Sequence, residues 1–265
     1  MDILKREAAP ISKEAWEEID ETAKDVLKNM LSARKVLKVN GPKGWDYNAV
    51  PEGRVEVLDK ATKDSIVQTG HYEIQRLVEA RVNFELSKWE LDNIARGAED
   101  PDLGPLEEAV EALAIFEEDA IYNGYKKGAI EGLIPAAGHT MKISEDPDQI
   151  ITAIGEAKYA IMNAYVEMPY DMIVSETLYK RINVMHQGVY LMDVIKKITG
   201  GEIYRSKIKG GGVMIPRRDE DLEFTIGQDF SIGYDSETPD TVKLFVTESF
   251  TLRVLEEDKI VHLEA

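Results

Sequence analysis

The chain has 265 residues, enough for one large domain or two smaller ones, and its 43% hydrophobic and 31% charged residues are typical of a folded protein. Fifty acidic residues against 32 basic ones give a formal net charge of -18, which argues against nucleic acid as the main partner because phosphate binding needs a surplus of Lys and Arg. The lack of cysteine excludes disulfides, thiolate metal sites and cysteine nucleophiles. No apolar run is long enough to predict a membrane span. No apolar run follows the basic residues of MDILKREAAP, as it would in a signal peptide. The sequence therefore predicts a cytoplasmic protein with no membrane partner.

The first predicted element is an amphipathic helix. Ser12 is placed to cap it, and the helix is expected to begin at Lys13. One apolar stripe follows at helical spacing: Trp16, Ile19, Ala23, Val26, Leu27, Met30 and Leu31. Two interpretations stay open, because such a stripe either packs on the protein's own core or forms part of a groove for another chain.

A turn and a long hairpin come next. GPKGWDY, at 41–47, contains both Pro and Gly and is typical of a turn. Residues 46–77 then read as two strands joined by a polar tip, ATKDS, at 61–65. A hairpin with so few large apolar residues is marginal in water, so we expect it to lie against a neighbouring subunit.

The segment 81–127 predicts a strand, a polar turn and the longest helix of the chain. Val82, Phe84 and Leu86 alternate with polar residues, and an apolar stripe begins after Pro105. The stripe consists of Leu106, Val110, Leu113, Phe116, Ala120 and Ile121. The acidic residues expected away from it, on the solvated face, are Glu107, Glu108, Glu111, Glu117 and Glu118.

The rest of the chain predicts an α/β unit and then a sheet. Between 133 and 221, a helix is expected from Pro147 to about 166, a strand at 170–174, a helix after Ser175, a break at 186–188 and a helix ending at Gly200. Alternating apolar residues after 222 predict antiparallel strands.

The sequence carries no recognisable catalytic site. The four histidines are isolated from one another, which predicts no metal site, and GGG at 210–212 lacks the rest of a phosphate-binding loop. The serines lack a nucleophile elbow, so no catalytic residue is predicted. Trp89 either stacks on a planar ligand or packs against the long helix. These patterns favour a structural or binding protein and do not support an enzyme.

Several longer motifs resemble those of a known family. They are LSKWELDNIARG before the long helix, GQDFSIGYD at 227–235, LFVTESFTLRV at 244–254, and WEEID, RKVL and GPKGWDY near the start. They resemble the family 1 encapsulin shell proteins, nanocompartment proteins of bacteria and archaea that are also known as linocin-type bacteriocins. The resemblance runs from about Ile3 to the end of the chain, although 133–221 matches mainly in its pattern.

The resemblance implies an α+β fold of the tailed-phage (HK97-like) major capsid type. The N-terminal helix region 1–45, with 78–132 and 222–265, would form a peripheral domain. Residues 46–77 would be an extended loop, and 133–221 an axial domain that meets its copies at a symmetry axis.

The family also implies a function. The subunits would assemble into an icosahedral homo-oligomeric shell, expected to be T=1, with pores for small molecules. The shell would enclose a ferritin-like or dye-decolorising peroxidase cargo, held by its C-terminal targeting peptide, which implies iron storage or a response to oxidative stress. A prophage capsid that packages DNA is the alternative, against which the negative charge argues.

Three sets of site residues follow by position in the family. The cargo-peptide groove would be formed by Val26, Leu27, Met30, Leu31 and Arg34, opposite Phe230, Ile232 and Tyr234. His186, Gln187 and Gly188 would line a five-fold pore. No cofactor is required, but some members of the family associate with flavin at the position of Trp89.

Overall fold

The computed structural model describes residues 2–61 and 66–265, so most of the predicted tip at 61–65 lies outside the described residues. The helices are α1 Lys13–Met30, α2 Ala33–Val36, α3 Lys88–Ala95, α4 Gly104–Asn123, α5 Pro147–Asn163, α6 Glu176–Ile182 and α7 Leu191–Thr199, with single 3-10 turns at Arg6–Ala8, Lys126–Gly128 and Glu257–Lys259. The strands are β1 Lys38–Asn40, β2 Ala49–Asp59, β3 Thr69–Arg76, β4 Val78–Ser87, β5 His139–Lys142, β6 Tyr170–Val174, β7 Met185–His186, β8 Val189–Tyr190, β9 Gly200–Arg205, β10 Gly211–Pro216, β11 Leu222–Ile226, β12 Ser231–Glu237, β13 Thr241–Val254 and β14 Val261–Glu264.

The long strand β13 organises the first sheet. One edge pairs with β4 along ten residues, and the other edge pairs first with β12 and then with β11, all antiparallel. β1 extends the sheet by pairing parallel to β11. The alternating residues Val242, Leu244 and Val246 are buried, as the period of the sequence predicts. The expected antiparallel sheet after 222 is therefore confirmed for β11, β12 and β13.

The second sheet has the strand order β5-β14-β10-β6-β9. Helices α5, α6 and α7 cover it through a core that includes Ile150, Ile154, Leu178 and Ile195. The structure differs from the predicted domain boundary at the last strand, because β14 pairs with β5 and β10 in this sheet and not with the strands of 222–254. Val261 and Leu263 point into this core, which explains the pairing.

Helix α4 packs at one end into the core beneath the first sheet and at the other end into the core between the two sheets. With 20 residues it is the longest helix of the described chain, as predicted. Its first half, with Leu106 and Leu113, packs with α1, β4 and β13. Its second half, with Ala120 and Ile121, packs against β11 and the inner face of the second sheet. The fold is α+β, as predicted.

Side-chain caps begin three of the helices, and a glycine ends a fourth. Ser12 Oγ accepts from the Ala15 amide at 3.1 Å, so the predicted N-cap is confirmed. Ser175 Oγ accepts from the Leu178 amide at 3.2 Å, and Asp146 caps α5, at the predicted starts of those helices. α7 ends where Gly200 adopts the left-handed conformation with φ 66°.

The predicted hairpin at 46–77 forms and has an exposed apolar surface. β2 and β3 pair antiparallel, and Val55, Val57 and Tyr72 are at least half exposed. An exposed hairpin of this kind is the feature that a neighbouring subunit would cover.

Candidate functional site

An apolar groove of about 620 Å³ lies between α1 and the β12 side of the first sheet. Five of the eight predicted groove residues line it: Leu27, Leu31, Arg34, Phe230 and Ile232. Leu27 and Leu31 are one helical turn apart and therefore share a face of the chain. The adjacent Ala23 and the strand residue Val246 complete the apolar floor.

Three predicted groove residues lie elsewhere. Val26 and Met30 precede Leu27 and Leu31 by one residue, about 100° around the helix, and line a second cavity of about 780 Å³ between α1, α4 and residues 205–210. Tyr234 is on β12, and its amide donates to the Leu4 carbonyl at 2.8 Å, outside the groove lining. The eight predicted residues therefore do not all line one groove, and for Val26 and Met30 the reason is that the apolar stripe of α1 is wider than one groove.

The N-terminal segment forms a wall of the groove that sequence reasoning missed. Leu4 and Arg6 both line it. The Arg6 guanidinium lies 3.9 Å from the centre of the Trp16 ring and bonds to Asp20 at 2.8 Å, which fixes the segment against α1. The available signal was the basic residue Arg6 ahead of a helix that carries an aromatic residue and an acid in its first turns.

Arg34 lies at one end of the groove in a cluster of acids. Its guanidinium bonds to Asp229 at 2.6 Å, to Glu248 at 3.1 Å and to Glu117. Its face lies 4.8 Å from the Phe230 ring centre. The expectation that Glu117 is solvated is wrong, since Glu117 and Glu248 are both fully buried. They tolerate burial because the forked guanidinium supplies charge and hydrogen bonds to both.

The cluster shifts the pKa values of Glu248 and Arg34. Burial raises the pKa of Glu248 well above its usual range, and the adjacent Glu117 carboxyl raises it further. Burial lowers the pKa of Arg34, but the carboxyls of Glu117, Asp229 and Glu248 more than reverse this and raise it overall. Among the described residues nothing hydrogen-bonds to Glu248 Oε1, and both its burial and the adjacent Glu117 carboxyl favour the protonated form of Glu248.

A second buried acid holds the start of α2 and thereby positions Arg34. Glu118 accepts the amides of Ser32 and Ala33 at 2.8 and 2.9 Å and the hydroxyl of Ser206 at 2.8 Å. Burial raises its pKa, although these hydrogen bonds oppose the shift. Tyr122 completes the cluster through the Ser32 hydroxyl at 2.7 Å. Glu118 too was expected on the solvated face, and that expectation is wrong.

The predicted pore residues form the turn of a small hairpin between α6 and α7. β7 and β8 pair across a two-residue loop, in which Gln187 and Gly188 have φ values of 48° and 82°, as a tight hairpin turn requires. His186 Nε2 lies 3.0 Å from Asp148 Oδ1 at the start of α5, which anchors the hairpin. Gln187 and Gly188 are exposed.

Trp89 lies on α3, a short helix between β4 and α4. Its side chain is 69% exposed, so it does not pack against α4. The Arg96 guanidinium, from the end of the same helix, lies 5.7 Å from its ring centre. An exposed indole face can accept a planar ring, while the protein's own contacts leave most of it uncovered.

Within 2–61 and 66–265, no three histidine or acidic side chains are grouped as ligands for one metal ion. No helix in these ranges has both the length and the apolarity to cross a membrane.

Comparison with known proteins identifies the family. Residues 1–251 match the family model described as "Encapsulating protein for peroxidase". The type 1 encapsulin shell protein of Rhodospirillum rubrum is 34% identical over 262 residues, which cover 96% of this chain and 94% of that protein.

Solved structures agree on the fold. A virus-like particle from Pyrococcus furiosus matches with a TM-score of 0.69 at 19% identity, covering 94% of this chain and 99% of that one. The capsid of the Myoviridae phage XM1 matches with a TM-score of 0.60 at 11% identity, covering 88% and 91%. These likenesses confirm the tailed-phage (HK97-like) capsid fold, and the nearly full-length sequence matches show that the chain belongs to the type 1 encapsulin shell protein family.

Proposed function

We propose that the chain is the subunit of an icosahedral T=1 shell in the cytoplasm, with no catalysis of its own, that retains a cargo enzyme by its C-terminal peptide. The observation that carries the peptide-binding part is the groove between α1 and β12, which is open, apolar and lined from five separate parts of the chain. Covering such apolar surface is favourable, and a short peptide with apolar side chains is a kind of occupant that can cover it. The family description, which names encapsulation of a peroxidase, favours an enzyme as cargo.

The groove can be tested against the second cavity on the same helix. The chain would be co-expressed with a fluorescent reporter that carries a short C-terminal tail. The tails form a panel, each with two Leu and one Ile, and differ in the spacing between these three residues. We expect Leu27→Ala with Leu31→Ala to abolish reporter retention, measured as fluorescence per shell after size exclusion, without preventing shell assembly. Each truncation removes apolar contact with the tail.

The matched control is Val26→Ala with Met30→Ala, which removes apolar side chains from the neighbouring face of α1. Retention should survive in this variant. Equal loss in both variants, or full retention in the first, would contradict the proposed groove. Electron microscopy of the same samples tests assembly, because DNA-filled heads or small oligomers in place of protein shells would contradict the shell.

The hairpin tip 186–188 is proposed as the lining of a small-molecule pore on the five-fold axis. Its support is the exposed turn held out from α5 by the His186 to Asp148 contact. We propose flavin as the ligand for Trp89, supported by the exposure of its ring. Absorbance of the purified shell in the flavin bands, lost in Trp89→Ala, is the expected result, and unchanged absorbance would contradict it.

A further inference from the structure

The groove has a basic rim although the chain as a whole is strongly acidic. Its lining holds five basic side chains and two acidic ones, against a net charge of -18 for the chain. Both acids are already matched by arginines, since Asp20 pairs with Arg6 at 2.8 Å and Asp229 pairs with Arg34 at 2.6 Å. The buried Glu117 and Glu248 also pair with Arg34. The lysines of the rim therefore account for its remaining charge.

Three rim lysines, Lys24, Lys28 and Lys35, have no carboxylate within 4.0 Å among the described residues. Lys24 and Lys28 are one turn apart on α1 and both are exposed. Lys35 Nζ donates to the Lys28 carbonyl at 3.2 Å, so it continues the row past the end of the helix. The three lysines therefore form one row beside the apolar floor.

Resting on the proposed function that this groove takes a peptide, we propose that the peptide is an aliphatic segment whose carboxylates face the row of Lys24, Lys28 and Lys35. The apolar floor accepts the aliphatic side chains, and the unpaired ammonium groups select the charge beside them. The carboxylates come either from Asp and Glu side chains or from the α-carboxylate at the end of the cargo chain.

A polynucleotide is a poorer match for the same row. The floor between the lysines and β12 is formed by Leu27, Leu31, Phe230 and Ile232, which offer no partners for a sugar-phosphate chain. The acidic surface of the chain also repels phosphate at longer range. The combination of aliphatic floor and basic rim fits an acidic apolar peptide.

The test uses the full chain and the best-retained reporter tail of the panel. Three versions of this tail carry Asp, Asn or Lys next to the aliphatic residues. A fourth version is the Asp tail followed by four glycines, which move the α-carboxylate away from the lysines. Because an exposed ion pair changes affinity by up to about fivefold, we expect the Asp tail to be retained several-fold better than the Lys tail. The fourth tail shows which carboxylate is read: retention falls if it is the α-carboxylate and holds if it is a side chain.

Charge reversal separates recognition from folding. In Lys24→Glu, Lys28→Glu and Lys35→Glu together, the order of the Asp and Lys tails should invert in shells that assemble normally. The matched control is Lys126→Glu, Lys127→Glu and Lys197→Glu, which changes the net charge equally at exposed lysines outside the groove and should keep the original order.

The same measurements distinguish an error about the acidic peptide from an error about the groove itself. Equal retention of the Asp, Asn and Lys tails, with the aliphatic residues still required, would overturn the acidic peptide and leave the peptide groove intact. Retention that is indifferent to the aliphatic residues would overturn the groove. A third outcome is that the purified shells absorb at 260 nm, and that the triple reversal removes this absorbance without changing retention of the tails. That result would overturn the peptide and indicate nucleic acid as the ligand of the lysine row.

Discussion

At the scale of single residues, the Arg34 cluster determines the chemistry of one end of the groove. One guanidinium is shared by Glu117, Asp229 and Glu248, so the site holds more potential negative charge than positive. A neutral Glu248 resolves the imbalance. The proton then becomes part of the folded structure, and the stability of the fold becomes dependent on pH.

Glu248→Gln should remove that dependence. Because the folded pKa of Glu248 is raised, its contribution to stability is complete below the ordinary glutamate pKa and is lost as the pH rises towards the folded value. Between those two values the wild type loses up to about 1.4 kcal/mol per pH unit that the glutamine variant does not lose. Thermal unfolding at pH 5 and pH 8 measures this, with the exposed Glu107→Gln as control. Parallel curves for wild type and Glu248→Gln would contradict a protonated Glu248.

At the scale of elements, α4 carries the largest structural role because one helix contributes to two cores. Its first half packs under α1 and the groove, and its second half packs against the inner face of the second sheet. Glu117 and Glu118 sit between these halves and fix the start of α2, so the same helix sets the position of Arg34. Damage to the second half should therefore be felt across the whole subunit.

Ile121→Ala and Ile115→Ala provide a matched comparison on this helix. Ile121 is fully buried and Ile115 is 39% exposed. Truncation of a buried isoleucine costs about 2–5 kcal/mol through lost contacts and the cavity left behind. We expect that loss for Ile121→Ala and a much smaller one for Ile115→Ala, measured by denaturant unfolding. Similar losses at both positions would argue against the packing of α4 described above.

At the scale of the whole molecule, the net charge of -18 opposes the assembly of copies. The proposed shell brings many equally charged subunits together. Their repulsion reaches about 30 Å at 0.01 M salt but only about 10 Å at 0.1 M, because added salt shortens the screening length. Apolar surface on the β2–β3 hairpin, at Val55, Val57 and Tyr72, is available to overcome that repulsion when a neighbour covers it.

The temperature at which assembled shells dissociate should therefore rise between roughly 0.01 M and 0.1 M salt. Light scattering during heating measures it. In a variant with Glu107→Gln and Glu108→Gln, two exposed positions on α4, the salt dependence should be weaker because less charge is screened. A dissociation temperature that falls with added salt would contradict repulsion as the opposing force.

The predictability of each feature follows from the range of the interactions behind it. Caps such as Ser12 and Ser175, and the stripes of α1 and α4, depend on neighbours within one helical turn, so sequence patterns predict them. Glu117 lies on the face of α4 that meets Arg34 and Glu248, residues 83 and 131 positions away, and no local pattern reports such a partner. For the same reason Leu27 and Val26 look alike in the sequence but face different cavities.

The pairing of β13 also sets the order in which the protein can fold. β4 can pair only after β13 has been synthesised, because its partner residues lie about 160 positions later in the chain. β12 pairs with the same strand. Contacts of such separation form late, and during synthesis they cannot form before β13 has left the ribosome. The side of the groove that carries Phe230 and Ile232 is thus completed only after β13 has been synthesised. A nascent subunit therefore has no finished groove, and the proposed peptide binding requires that the first sheet has already formed.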